Sequence, residues 1–190
     1  MENIIGNGWY NRTAIEPQEF PDDRMVLING KSVDIRNVKH YGISDIREIA
    51  GPISKICRYA GRIPDFFSVA EHSVILANLF QDDKIMAQYA LLHDAHEAFT
   101  GDIIYPIKMN YMNDMELRSL VRDLDAAIFL RFGLYAHLPG EVDHGDHELC
   151  REEWKYFTGG GRVDNPGIRF LDHKVAYAIF IMKAEELGLR

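Results

Sequence analysis

Cysteine is scarce in this sequence. Cys57 and Cys150 are its only two in 190 residues, too few for a disulfide framework, and a reducing cytoplasm is the expected home. Apolar runs are short as well. No window approaches 18 consecutive apolar residues, so no membrane-spanning helix is expected. Met1–Gly6 lacks the basic start and long apolar stretch of a secretory signal. Positive charge is in deficit too: 21 Lys and Arg against 29 Asp and Glu give a net charge of −8. That balance argues against binding a nucleic-acid polymer, which calls for a basic face. It leaves room for a small anionic ligand, because a metal ion and a few cations can reverse the field locally.

The 47% apolar and 26% charged residues are the proportions of an ordinary globular domain. A chain of 190 residues suffices for one domain with a sizeable core. Strand-like runs around Asn29-Gly30, within Arg24–Arg36, predict a small hairpin with a type I′ turn. The expected organisation is a single domain over residues 1–190: an irregular segment plus hairpin in 1–40, then a helical core over 41–190.

In that core, Ile46, Ile49, Ile53 and Ile56 recur at helical spacing. Gly51-Pro52 interrupts them, which predicts two short helices or one that begins at Pro52, with Gly61 as a stop. Ser68-Val69-Ala70-Glu71 reads as a capping box. Asp82-Asp83 predicts the start of a helix to about Thr100. A further helix opens at Asn113–Glu116 and ends at Gly133. Pro139 starts the next, which the Gly159–Gly161 run breaks. Asp172 caps the last, with Val175, Ile179 and Met182 expected to face inward. The fold class predicted is all-α, a helical bundle with a small N-terminal β-hairpin.

The stretch Leu91–Asp102 carries the chemistry. His93-Asp94 lies inside an apolar helical pattern, and His72 sits in the first turn of the preceding helix. An ionised carboxylate beside an imidazole in a core-facing position is costly without compensation, which a bound metal ion commonly supplies. His93 and Glu97 are one turn apart on the same face of the helix expected from Asp82-Asp83, with Asp94 beside His93. A metal at His93 and Asp94 with Glu97 close by is the arrangement hydrolysis needs. The ion acidifies water and polarises the electrophile, while the carboxylate takes or positions a proton.

The order His72, then His93-Asp94, then a distant Asp resembles the HD superfamily of metal-dependent phosphohydrolases. Ile56-Cys57-Arg58-Tyr59, Phe67–Ser73, Leu91–Asp102 and Pro106-Ile107-Lys108 look like the 5′-deoxynucleotidase-type branch common in bacteria and phages, a likeness running from about Asp34 to Phe157. The resemblance implies metal ligation by His72, His93 and Asp94, and Glu97 as catalytic acid. It implies Arg58 on the substrate phosphate, Tyr59 at a nucleoside-contact position often held by Trp, Asp102 near the sugar and Lys108 near the phosphates. Asp143 and Asp146 compete for the fourth ligand. The family segment, with apolar residues three and four positions after the Asp and a Glu at seven, favours Asp146 with Leu149, Cys150 and Glu153.

One divalent ion (Mn²⁺, Co²⁺ or Zn²⁺) suits such a His₂Asp₂ set. The expected partner is a small-molecule nucleotide substrate, with no nucleic-acid polymer and no membrane, and the resemblance adds a homo-oligomer. The leading expectation is a 5′-deoxynucleotidase releasing phosphate from a deoxynucleoside monophosphate. A deoxynucleoside triphosphate triphosphohydrolase, dATPase-like and releasing tripolyphosphate, is the alternative, and a non-catalytic metal- or nucleotide-binding module is a further one. His96, on the Ile85/Leu92 stripe, reads as structural. His144 and His147 read as a solvated helix face or, at i, i+3 spacing, a second metal site. Arg62 reads equally as surface charge or phosphate clamp, and Cys57 and Cys150 as small buried hydrophobes.

Overall fold

The computed structural model describes residues 25–26, 32–33, 43, 45–111, 115–159 and 164–190. Two short strands, β1 (Met25–Val26) and β2 (Ser32–Val33), pair antiparallel with Met25 opposite Val33. The Asn29-Gly30 turn and the irregular segment before the hairpin lie outside the described residues. The other elements among the described residues are helical, as the all-α reading expects. The helices are α1 (Arg47–Ile53), α2 (Val69–Leu79), α3 (Lys84–Leu92), α4 (Glu97–Thr100), α5 (Tyr105–Tyr111), α6 (Met115–Arg131), α7 (Gly140–Thr158) and α8 (His173–Leu187). Among the described residues no helix is long and apolar enough to cross a membrane.

At the centre of the bundle is α2. Every residue from Val69 to Ala77 is buried, as expected of a helix apolar on nearly all sides. It packs against α3, α7 and α8, while α1 packs against α4 and α8. Side chains such as Phe67, Leu76, Leu91, Leu92, Ile128 and Phe180 are wholly enclosed, each contributing about 1.5–3 kcal/mol through burial.

Helix starts follow local chemistry. Asp83 accepts from the backbone N–H of Ile85 and Met86, and Asp172 from Lys174 and Val175, so each cap satisfies N–H groups that have no partner within the helix. Helix α6 ends in a Schellman motif. Gly133, at φ +78°, donates to Leu130 O, and Leu134 donates to Phe129 O. Phe129 and Leu134 are both buried there.

Four expectations need correction. Helix α1 runs through Gly51-Pro52 instead of starting there. Pro52 is its penultimate residue, where the ring interrupts little of the ladder, and Ser54 N–H still reaches Ala50 O. The capping box is half formed. Ser68 Oγ accepts from Glu71 N–H, but the Glu71 carboxylate turns away and accepts from Arg169 N–H at 2.6 Å and Leu171 N–H at 3.0 Å. It thereby ties the segment before α8 to the central helix.

The inward face of α8 is Ala176, Phe180, Ala184 and Leu187, whereas Met182 is 56% exposed. Val175 to Met182 are all apolar, so periodicity could not choose the face. The helix expected from Asp83 to Thr100 stops at Leu92. Beyond it the backbone tightens to i→i−3 bonds, Ala95 N–H to Leu92 O and Glu97 N–H to Asp94 O, before α4 begins.

Candidate metal centre

That tightened turn holds His93 and Asp94 at the end of α3. His72 faces them from the first turn of α2, and Asp146 from the middle of α7. His72 Nε2 lies 3.3 Å from His93 Nε2, 3.0 Å from Asp146 Oδ1 and 4.0 Å from Asp94 Oδ2. His93 Nε2 lies 3.0 Å from Asp94 Oδ2 and 3.5 Å from Asp146 Oδ1. A glycine allows the close crossing: a Cβ on Gly145 would stand 3.0 Å from two ring carbons of Phe80, which follows α2. Asp143, the competing carboxylate, points to solvent beside His147.

Each imidazole is oriented by its other nitrogen. The His93 Nδ1–H donates to Ala90 O at 2.8 Å, and the His72 Nδ1–H donates to Glu153 Oε1 at 2.6 Å. Both rings then turn Nε2 inward, the nitrogen that gives a metal its lone pair once an ion has displaced the proton there.

Burial opposes charge on every member of the group, yet the cluster outweighs it. The charge and hydrogen bond of His93, with Arg58, hold the Asp94 carboxyl well below the ordinary range. Hydrogen bonds from His72 and His93 do the same for Asp146. Conversely, Asp94 and Asp146 raise His93 well above its usual value, and Glu153 and Asp146 raise His72. These shifts have one physical cause. The four groups favour a positive charge among them, which a proton or a metal ion can supply. His72, His93 and Asp94 form a buried set whose donor atoms lie within 4.8 Å of one another and could hold a metal ion.

Glu97 does not join His93 as a continuous helix requires. The tightened turn groups it with Asp94 and His96 instead, again within 4.8 Å. Its side chain is 2% exposed. Oε1 accepts from Lys108 Nζ at 3.4 Å, while Oε2 has no hydrogen-bond partner. Burial and the charge of Asp94 push the carboxyl up to about 7, against the pull of Lys108. Lys108 is raised in turn: burial lowers it, but Asp94, Glu97 and Asp102 outweigh that. Half-buried Asp102 acts here through its charge. His96 donates from Nδ1 to Asp125 Oδ1 at 2.9 Å, so it holds α6 to the turn, in keeping with a structural reading.

Arg58 enters the cluster from a short 3₁₀ turn, Arg58–Gly61. Tyr59 and Ala60 there take left-handed backbone at φ 57° and 51°, a strain of about 1–3 kcal/mol each. Bonds from Arg58 N–H to Phe67 O and from Val69 N–H to Ile56 O hold the loop in this form. The guanidinium is buried. Nη1 donates to Asp94 Oδ2 at 3.1 Å, Nη2 lies 3.1 Å from Cys150 Sγ, and Nε has no partner. The Tyr59 hydroxyl donates to Glu153 Oε2 at 2.6 Å, and its ring packs beside Trp154 and Phe157.

Sequence reasoning underrated two residues. Glu153, wholly buried, joins His72, Tyr59 and Arg58. Its signal was the spacing of seven from Asp146, two turns along one helix face. Cys150 is no inert filler: its thiol contacts both Asp146 and Arg58. Burial and the neighbouring carboxylates push that thiol up, against Arg58. His144 and His147 are exposed and pair with Glu148 and Asp143 along their own helix. Among the described residues they join none of the donor groups that could hold an ion. Arg62 is exposed at the end of the strained turn.

No protein-family model matches the chain. It is similar to the uncharacterized protein YfdR of Escherichia coli, 35% identical over 101 residues that make up 53% of this chain and 54% of that protein. It is also similar to an uncharacterized protein of Rhodobacter capsulatus, 34% identical over 123 residues, 61% of each chain. The matched stretch thus spans between about half and three-fifths of the length of these curated relatives.

Proposed function

We propose that this chain is an HD-type phosphohydrolase that uses one divalent metal ion and acts on deoxynucleotides, with release of phosphate from a deoxynucleoside monophosphate as the leading reaction. The observation that carries the reading is the convergence of His72, His93, Asp94 and Asp146 beside a buried carboxyl, Glu97, and two cations, Arg58 and Lys108. The residues fit a metal. Both imidazoles present Nε2, both carboxylates stay ionised, and the mixed nitrogen and oxygen donors suit Mn²⁺, Co²⁺ or Zn²⁺.

An ion held by these four residues would supply Lewis acidity toward a phosphoryl oxygen and a more acidic water. The chain's own groups supply the rest. Arg58 offers a planar, permanently charged fork for a phosphate, already within the cluster and with its Nε unpartnered. Lys108 brings a second positive charge from α5. Glu97, titrating at about 7, is poised to hand a proton to the leaving oxygen near neutral pH. Tyr59 commits its hydroxyl to Glu153, which leaves its ring for any contact with a nucleoside.

The test is hydrolysis of a panel of deoxynucleoside mono- and triphosphates by metal-stripped protein with Mn²⁺, Co²⁺ or Zn²⁺ restored. Metal-dependent appearance of a deoxynucleoside with phosphate is the expected result. Tripolyphosphate as the only co-product would replace the leading reaction with the triphosphohydrolase. Nucleotide binding without turnover under every ion would move the chain to the non-catalytic class.

A further inference from the structure

Cys150 lies one helical turn beyond Asp146 on α7, and its sulfur enters the cluster. Sγ is 3.3 Å from Asp146 Oδ1, the same oxygen that stands 3.0 Å from His72 Nε2. His72, Asp146 and Cys150 each offer a donor atom within 4.8 Å of the other two, the closeness that also defines His72, His93 and Asp94. Two donor sets therefore share His72. One is completed by an imidazole and a carboxylate, the other by a carboxylate and a sulfur. A position that served only as apolar filler would have no polar neighbours. The thiol instead donates to a carboxylate and faces a guanidinium, with Arg58 Nη2 at 3.1 Å.

We propose that Cys150 is an ion-dependent ligand of this centre. Thiophilic divalent ions of the Zn²⁺ and Cd²⁺ kind are held by Cys150 with His72 and Asp146. A harder ion such as Mn²⁺ is held by the imidazole and carboxylate donors, with the sulfur outside. Ligand softness gives the reason: thiolate selects the softer ions, and carboxylate suits the harder ones. Coordination replaces the S–H bond with a sulfur–metal bond, and the proton leaves to solvent. Arg58 remains the hydrogen-bond donor to the sulfur and balances part of the added negative charge. The inference rests on reading this cluster as a metal centre.

Co²⁺, standing in for Zn²⁺, separates the two claims. Added to the metal-free full chain, it is expected to give the visible d–d bands of a bound ion together with a near-ultraviolet sulfur-to-cobalt charge-transfer band. Cys150→Ala and Cys150→Ser should both keep the first and lose the second. By calorimetry the same variants should bind Cd²⁺ at least about tenfold more weakly, the lower end of what losing even an outer partner of a ligand costs, with Mn²⁺ affinity unchanged. Visible bands without charge transfer in the wild type would overturn the role of Cys150 and leave the metal centre standing. Absence of both signals would overturn the metal centre, and the assignment of Cys150 with it.

Discussion

The Nδ1–H of His72 donates to Glu153 across 2.6 Å, and both side chains are wholly buried. Helices α2 and α7 are joined at this contact, which also fixes which nitrogen of His72 faces the centre. Glu153 stays ionised because His72, Arg58 and the Tyr59 hydroxyl outweigh its burial. Replacement of Glu153 by Gln keeps the shape and removes the charge. Metal affinity measured by calorimetry should fall by about 10–100-fold, the usual cost of losing the partner of a ligating histidine. Unchanged affinity would show that the ring is held by packing alone.

Asp94 touches His93 and Arg58 from the centre of the cluster. Asp94→Ala should abolish turnover and remove the stabilisation that metal gives the wild-type chain, about 2.7 kcal/mol at an ion concentration one hundred times the dissociation constant. Circular dichroism should show the helices intact. Equal metal-induced shifts in melting temperature for wild type and variant would rule out ligation by Asp94.

Glu97 makes stability depend on pH with a definite sign. Its folded-state carboxyl sits at about 7 against an ordinary 4.5, so the folded chain binds this proton more tightly than the unfolded chain. Its contribution is complete below about pH 4.5, shrinks as pH rises and is gone above about pH 7, a loss of at most about 3 kcal/mol in the metal-free protein. Glu97→Gln lacks this dependence. Urea unfolding of both proteins at pH 5 and pH 8 should show the variant gaining relative to wild type at the higher pH, and a constant difference would contradict the shift.

Gly145 lets α7 approach Phe80 closely enough to bring Asp146 to His72. In Gly145→Ala the added methyl crowds the ring, at a cost of about 1–3 kcal/mol, while alanine returns about 0.5–1 kcal/mol of helix propensity. The two partly cancel in stability, so the displacement should be read in metal affinity, which falls more than the unfolding free energy does. Wild-type affinity in this variant would show that the crossing tolerates the methyl without moving Asp146.

Much of the architecture was legible because it is local. Ser68, Asp83 and Asp172 announce helix starts by satisfying N–H groups two or three residues away, and Gly133 ends α6 because a left-handed residue closes the Schellman motif. His72, His93, Asp94 and Asp146 stood out one by one, since polar groups in apolar helical patterns call for a reason. The break at Leu92 did not stand out: nothing in the local pattern of Leu91–Thr100 distinguishes an i→i−3 turn from a helix.

The sequence by itself therefore determined the all-α class, several helix starts and which side chains are candidates for chemistry, all properties settled by neighbours along the chain. The tertiary structure brought the favoured Asp146 to His72, and it alone decided that Glu97 joins Asp94 and His96 and that Glu71 ties down the segment before α8. It also decided that Cys150 borders the centre and that Met182 lies outside. The physical reason is common to all of these. Each depends on which helix face meets which neighbour, and an apolar helix such as α8 or a four-residue spacing such as Asp146 to Cys150 is compatible with several packings until the other helices are in place.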